Sequence, residues 1–244
     1  MNIYIIDGSE KAFYTAVFSA CTDKTCLITS GKNLQLTLDA KVVTVLPDEA
    51  KIARVKKKLR EYDKECLREI SLVLRRGCNT REMTALEYLR TIVERRAPVR
   101  DMLALPAVLE MRSEMKKVTL ETHRFTGFLR FMEGENCILY APFSPDNDIL
   151  DLILPHFMRR LKNQPFVIHD VARQKAALYN KRDCLITATD EKVQILLSEY
   201  EKGFQKLWQE YYRSATVSQR PHEKQMRGYM PVRYWKFMPE KNEN

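Results

Sequence analysis

The apolar residues of this chain change their spacing part-way along, and that change limits the available folds more than any single motif does. Up to about Lys117 they recur every three or four residues, which is a helical period; from Val118 they alternate, which is a strand period. In the first half, Ile52, Val55, Leu59, Tyr62, Cys66, Ile70 and Val73 mark one long helix, started by Pro47-Asp48-Glu49 and stopped by Gly77. Asn79, with Glu82 three residues on, has the pattern of a cap for a second helix carrying Met83, Leu86, Tyr88, Leu89 and Val93. Ahead of these lie a short apolar run, Asn2 to Ile6, ended by Asp7-Gly8-Ser9, and a helical segment from Lys11 to Cys21. Asn33 to Leu38 and Val42 to Leu46 are β-prone.

In the second half His123, Phe125, Gly127, Leu129 and Phe131 fall on one face of a strand and Thr122, Arg124, Thr126, Phe128 and Arg130 on the other. The turn Glu133-Gly134-Glu135-Asn136 returns the chain as Cys137 to Ala141, completing a hairpin. Asp146 or Asp148 is placed to cap the next helix, whose stripe is Leu150, Leu154, Phe157 and Leu161, with Pro155 expected to kink it before His156. Pro165 to His169 and Ala176 to Thr187 make a second strand pair, and a final helix of about Glu191 to Arg213 carries Val193, Leu197, Tyr200, Phe204, Leu207 and Tyr211. The expectation is an α+β protein: an antiparallel sheet built strand-strand-helix-strand-strand-helix in the C-terminal half, after a mostly helical, basic N-terminal half. Pro98 and Pro106 punctuate a boundary between residues 1–100 and 101–244.

Charge is segregated. Of the net +9, residues 51–100 contribute 15 Lys or Arg against 7 Asp or Glu and residues 200–244 contribute 9 against 5, whereas residues 1–50 (4 against 6) and 101–199 (13 against 14) nearly balance. Two basic zones flanking a neutral middle point to a polyanion, although a Lys- and Arg-rich helix also serves as a solubilising face. The 6 cysteines are scattered, with no CxxC pair and no histidine beside Cys21 and Cys26, so reduced thiols in a cytoplasmic protein are expected and no metal or cofactor. No apolar run is long enough to cross a membrane.

The C-terminal stretch from Tyr211 to Pro239 mixes cations with aromatics. Arg213, Arg220, Arg227, Arg233 and Lys236 can meet phosphates, and Tyr234 and Trp235 offer faces on which bases can stack. The same composition would also suit a strap whose aromatics dock on the body of the protein. Among candidate catalytic groups, His169-Asp170 is the sharpest pair: His169 as general acid or base, Asp170 as its orienting carboxylate, and Arg173 on a phosphate. Opposed to this is a strand-end histidine bonded to backbone and an aspartate capping a turn. His123 could converge with His169 on a neighbouring strand, with Arg124 and Arg130 as a phosphate-binding row. His156 at the proline break reads as structural, and His222 as exposed loop. No G-x-x-x-x-G-K-S/T, G-x-G-x-x-G or G-x-S-x-G run occurs, so triphosphate-, dinucleotide- and serine-hydrolase chemistries lack their anchors.

Several runs carry a family resemblance: Tyr4-Ile5-Ile6-Asp7-Gly8-Ser9; His123 to Phe131; Tyr140-Ala141-Pro142; Pro155-His156-Phe157; Gln164 to Asp170; and Met230-Pro231-Val232-Arg233-Tyr234-Trp235-Lys236. Together they resemble bacterial DNA-repair or DNA-metabolism proteins of unassigned activity, which carry a domain of unknown function, DUF4130. The resemblance implies company, since such proteins are typically encoded beside a radical-SAM protein or fused to a uracil-DNA-glycosylase-like domain. This chain lacks the CxxxCxxC of a radical-SAM cluster. The function expected is a nucleic-acid-binding accessory protein, on DNA more than RNA, working with a radical-SAM or glycosylase-type partner. The alternatives are an enzyme acting on damaged or modified DNA nucleotides through His123, His169 and Asp170, and a protein-protein adaptor.

Overall fold

A computed structural model describes residues 1–31, 40–189, 196–215 and 223–242. The chain is α+β and forms two compact units, Met1–Thr119 and Leu120–Asn244. Among the described residues no helix is long and apolar enough to cross a membrane.

The first unit opens as the apolar run and Asp-Gly-Ser turn dictate. Strand β1 (Asn2–Ile5) leads through Gly8, at φ +84°, into helix α1 (Glu10–Ala20), whose first turn is capped by Ser9 Oγ accepting from the Ala12 amide at 3.1 Å. The positive φ needs a residue without a Cβ, and the turn is tight: a Cβ there would lie 3.2 Å from Arg81 Nη2. Strands β2 (Leu27–Thr29) and β3 (Lys41–Thr44) both pair with β1 in parallel, in the order β2-β1-β3. The Asn33 to Leu38 run lies outside the described residues.

The single helix expected over Ile52 to Val73 is two: α2 (Glu49–Tyr62) and α3 (Cys66–Leu74). The break is made by Asp63, buried and extended at φ −149°, whose carboxylate accepts from the Glu65 amide at 2.9 Å and from Arg100 at 2.5 Å. A residue committed to those partners cannot continue a helix, and the apolar period either side hides it. Helix α4 (Arg81–Arg95) has Thr80 rather than Asn79 at its cap position and no side-chain cap; Glu82, buried in its first turn, instead accepts from Ser30 Oγ at 2.6 Å and from Arg81 at 2.9 Å. Phe13, Tyr14, Ile28, Ile70, Leu86, Leu89 and Ile92 form the core. Val99 is buried in the same core, so the Pro98 to Pro106 segment is part of this unit.

Helix α5 runs from Pro106 to Phe128, and here the period-two reading fails. The residues buried along its C-terminal half and just beyond are Val118, Glu121, Phe125 and Leu129, spaced three and four apart. Alternation of Phe125, Gly127, Leu129 and Phe131 coincided with that stripe at only two positions.

The second unit's sheet has the order β4 (Met132–Glu133), β5 (Leu139–Phe143), β6 (Phe166–Asp170), β7 (Lys175–Tyr179) and β8 (Cys184–Ala188). It is mixed, not antiparallel throughout: β5 and β6 run parallel, and the other neighbours antiparallel. Helix α6 (Leu150–Arg160) supplies the reason, because it is a crossover long enough to bring the chain back in the same direction. That helix continues through Pro155 without a break, and neither Asp146 nor Asp148 caps it; Ile149 precedes it, while Asp148 pairs with Lys175 at 2.6 Å. The run from Ala176 to Thr187 is two strands joined by a turn. Helix α7 (Glu199–Ala215), helix α8 (Glu223–Tyr229) and two 3-10 helices (Val232–Phe237, Pro239–Lys241) end the chain; Val193, Arg220 and His222 lie outside the described residues.

Candidate nucleic-acid interface

The second unit holds the expected site residues that are described, and it brings only some of them together: Arg173 and Arg233 both meet Asp146. His169, 3% exposed on β6, is held on both sides: Nδ1 is 2.7 Å from the Tyr140 hydroxyl and Nε2 is 3.2 Å from Thr189 Oγ1. Burial pushes the imidazole pKa down, against the smaller upward pull of Asp170, so the ring favours its neutral form. Asp170 is fully buried, and its carboxylate meets Arg173 Nη1 at 3.1 Å and the Arg173 amide at 3.2 Å. Burial raises the Asp170 pKa, and Arg173 opposes the rise. The same guanidinium donates to the carbonyls of Pro145 at 3.0 Å and Asp146 at 2.7 Å, so Arg173 ties loops together. His123 is exposed on α5, not on a neighbouring strand, and among the described residues no hydrogen bond or ring contact joins it to His169.

The cationic-aromatic tail is a clasp. Tyr234 is 2% exposed, with its ring 4.5 Å from Phe125 and its hydroxyl donating to the buried Glu121 at 3.0 Å; burial and that carboxylate push its pKa up to about 12. Arg233 pairs with Asp146 at 2.9 Å and lies over the Tyr234 ring at 4.8 Å. Arg130 holds Glu240 at 2.6 Å. Burial pushes that carboxyl up, and the ion pair overcomes it, leaving the Glu240 pKa below its ordinary value. Arg124 donates to the Gly228 carbonyl at 3.1 Å, and the Trp235 indole to the Met230 carbonyl at 3.2 Å, with Lys241 Nζ 4.7 Å over the same ring. Lys236 is exposed and lies 5.4 Å over Phe237; Arg213 and Arg227 are exposed in the last turns of α7 and α8.

A different concave, basic surface lies in the first unit. A groove of about 510 Å³ runs along α2 against α1 and α4, floored by Val17, Val55, Leu59, Leu89 and Val93. Lys51, Arg54 and Lys58 recur three and four residues apart on α2, with Lys57 beside them, so the helix stacks cations along one side of its apolar stripe. Phe18 of α1, 37% exposed, presents its ring to them: Arg54 Cζ is 5.0 Å and Lys51 Nζ 5.9 Å from its centroid. Lys58 is partly neutralised by Glu61 at 2.9 Å; Arg54 and Lys57 have no ion pair among the described residues. Burial pushes the pKa of Cys21, the groove's one thiol, upward, against the smaller downward pull of Arg90, which favours the thiol over the thiolate. The basic zone of residues 51–100 was legible in the sequence, but its concentration along one side of α2 was not, and nothing marked Phe18 as an outward ring.

Among the described residues no three His, Cys, Asp or Glu side chains are grouped to hold a metal ion. A family model described as a domain of unknown function, DUF4130, matches residues 79–240. The chain belongs to the DUF4130 family. The match takes in α4, α5 and nearly all of the second unit, so of the groove's walls α4 lies inside the DUF4130 segment while α1 and α2 precede it. No curated protein and no solved structure matches the chain.

Proposed function

We propose that this DUF4130 protein is a nucleic-acid-binding accessory protein of DNA repair or modification, and that it binds through the cation-lined groove of its first unit. The observation that carries the reading is the half-open Phe18 ring set against Lys51 and Arg54, with Lys57 and Lys58 along the same groove. A part-exposed ring with cations lying over it matches what a single strand needs, because the open part of the ring can meet any base and the cations track phosphates. The chemistry would be supplied by a separate partner of the radical-SAM or glycosylase type, as the family resemblance suggests, in the cytoplasm. His169 is buried with both ring nitrogens engaged by Tyr140 and Thr189, which favours a structural role for it.

Neutralising about three or four phosphates of a single strand gives a slope of log K against log salt of about −2 to −3, so affinity should fall roughly 20- to 50-fold between about 50 and 200 mM salt. Fluorescence anisotropy with short single- and double-stranded DNA and a matched RNA measures this. Salt-sensitive binding with DNA ahead of RNA supports the proposal; absence of salt-sensitive binding to DNA overturns it.

A further inference from the structure

The second unit contains a cavity of about 470 Å³ at the end of α5, against α6 and α7. Four aromatic side chains line it: Phe131, Phe157, Phe204 and Trp208. Phe131 and Phe157 meet edge to face at 5.1 Å, while Phe204 is 51% exposed. The volume falls within the range of small-molecule pockets, roughly 300 to 1,000 Å³.

The polar groups are few. Arg160, in the last turn of α6, is exposed and has no ion pair among the described residues, whereas Arg130 is consumed by Glu240. Glu201 is buried and already accepts from the Glu133 amide at 3.1 Å and from Gln205 at 2.8 Å, which leaves the Gln205 carbonyl as an acceptor. A cavity walled by rings selects a flat aromatic partner, and one uncommitted guanidinium selects an anion.

We infer that this cavity binds a planar aromatic group carrying an anionic substituent, the chemistry shared by a free mononucleotide and by the 5′-phosphorylated end of a strand. It is separate from the groove of the first unit and does not rest on it. Both tryptophans of the chain, Trp208 and Trp235, lie in this unit, so Trp235→Phe leaves Trp208 in the cavity wall as the sole reporter. Deoxyadenosine 5′-monophosphate, deoxyadenosine and a 5′-phosphorylated oligonucleotide would each be titrated into that variant of the full chain. Saturable quenching by the mononucleotide is expected. Adding Arg160→Gln should weaken the mononucleotide about tenfold or more while leaving the nucleoside unchanged, and Phe204→Ala should weaken both at least fivefold. Both side chains are exposed enough for the variants to fold, which unchanged melting temperatures would verify. Tighter binding of the oligonucleotide would assign the ligand to a strand end, and equal or weaker binding to a free nucleotide. Quenching that never saturates, or that Phe204→Ala leaves unaltered, overturns the inference. Arg54→Gln with Lys57→Gln should leave it intact, so its failure is distinguishable from failure of the groove.

Discussion

Removing the Tyr234 hydroxyl should destabilise the second unit by about 1.5 to 3 kcal/mol, the worth of a hydrogen bond to a charged acceptor. The acceptor is Glu121, 3% exposed, and its carboxylate is fully occupied: the Asp146 amide at 3.0 Å, the Asn147 amide at 2.8 Å, the Asn147 side chain at 2.6 Å and Tyr234 at 3.0 Å. Tyr234→Phe keeps the ring packed on Phe125 and deletes one donor of four. Tyr234→Ala deletes the ring as well and should cost roughly 3 to 5 kcal/mol. Because the Tyr234 pKa is raised from 10.0 to about 12, the native state holds that proton more firmly than the unfolded chain. The stabilisation is therefore complete below pH 10 and is lost only as the pH climbs from 10 towards 12. Urea unfolding followed by tryptophan fluorescence is the assay, since both tryptophans report this unit alone; the midpoint should move with the slope unchanged. A double-mutant cycle with Glu121→Gln should return a coupling of about 1 kcal/mol or more. A Tyr234→Phe protein of unaltered stability that had lost nucleic-acid binding would refute the clasp and restore Tyr234 as a stacking residue.

Gly8→Ala forces a Cβ into a left-handed turn and should cost the first unit about 1 to 2 kcal/mol in urea, followed by circular dichroism because that unit has no tryptophan; a neutral result would contradict the positive φ. Arg100→Ala strands the buried Asp63 carboxylate and should cost roughly 3 kcal/mol, read the same way, whereas a loss under 1 kcal/mol would mean that the pair is not desolvated. His169 has a lowered pKa, so below its ordinary 6.5 the unfolded chain takes up a proton that the native ring resists. The second unit should lose stability as the pH falls through 6.5 towards that lowered value, and His169→Gln should flatten the dependence measured as melting temperature; an unchanged dependence would sink the assignment.

The strand-turn-helix opening was legible because Asp7-Gly8-Ser9 states its own conformation, and the α2 stripe because its apolar positions keep one period throughout. The segment after Val118 was not, because one of the four residues on its buried face is Glu121. A carboxylate looks like a solvated position until its donors are known, and one of them is Tyr234, 113 residues away. The tail was legible in composition and not in its contacts. Its cations and rings were plain in the sequence, but the pairing of Arg233 with Asp146, of Trp235 with the Met230 carbonyl, and of Arg124 and Arg130 with the Gly228 carbonyl and Glu240 is specified by folding and carries no local signal. In the groove the cations were visible as a zone of charge, while the outward turn of Phe18 was decided by which side of α1 the core claimed.

Photocrosslinking a 5-bromouracil-substituted single strand to the protein, with the adducts mapped by mass spectrometry, tests the location of the interface most directly. The groove reading predicts adducts on the α1 peptide containing Phe18, lost in the Arg54→Gln, Lys57→Gln, Lys58→Gln protein and suppressed by salt. Adducts confined to the segment from Tyr211 to Pro239, unaffected by those three substitutions, would contradict it.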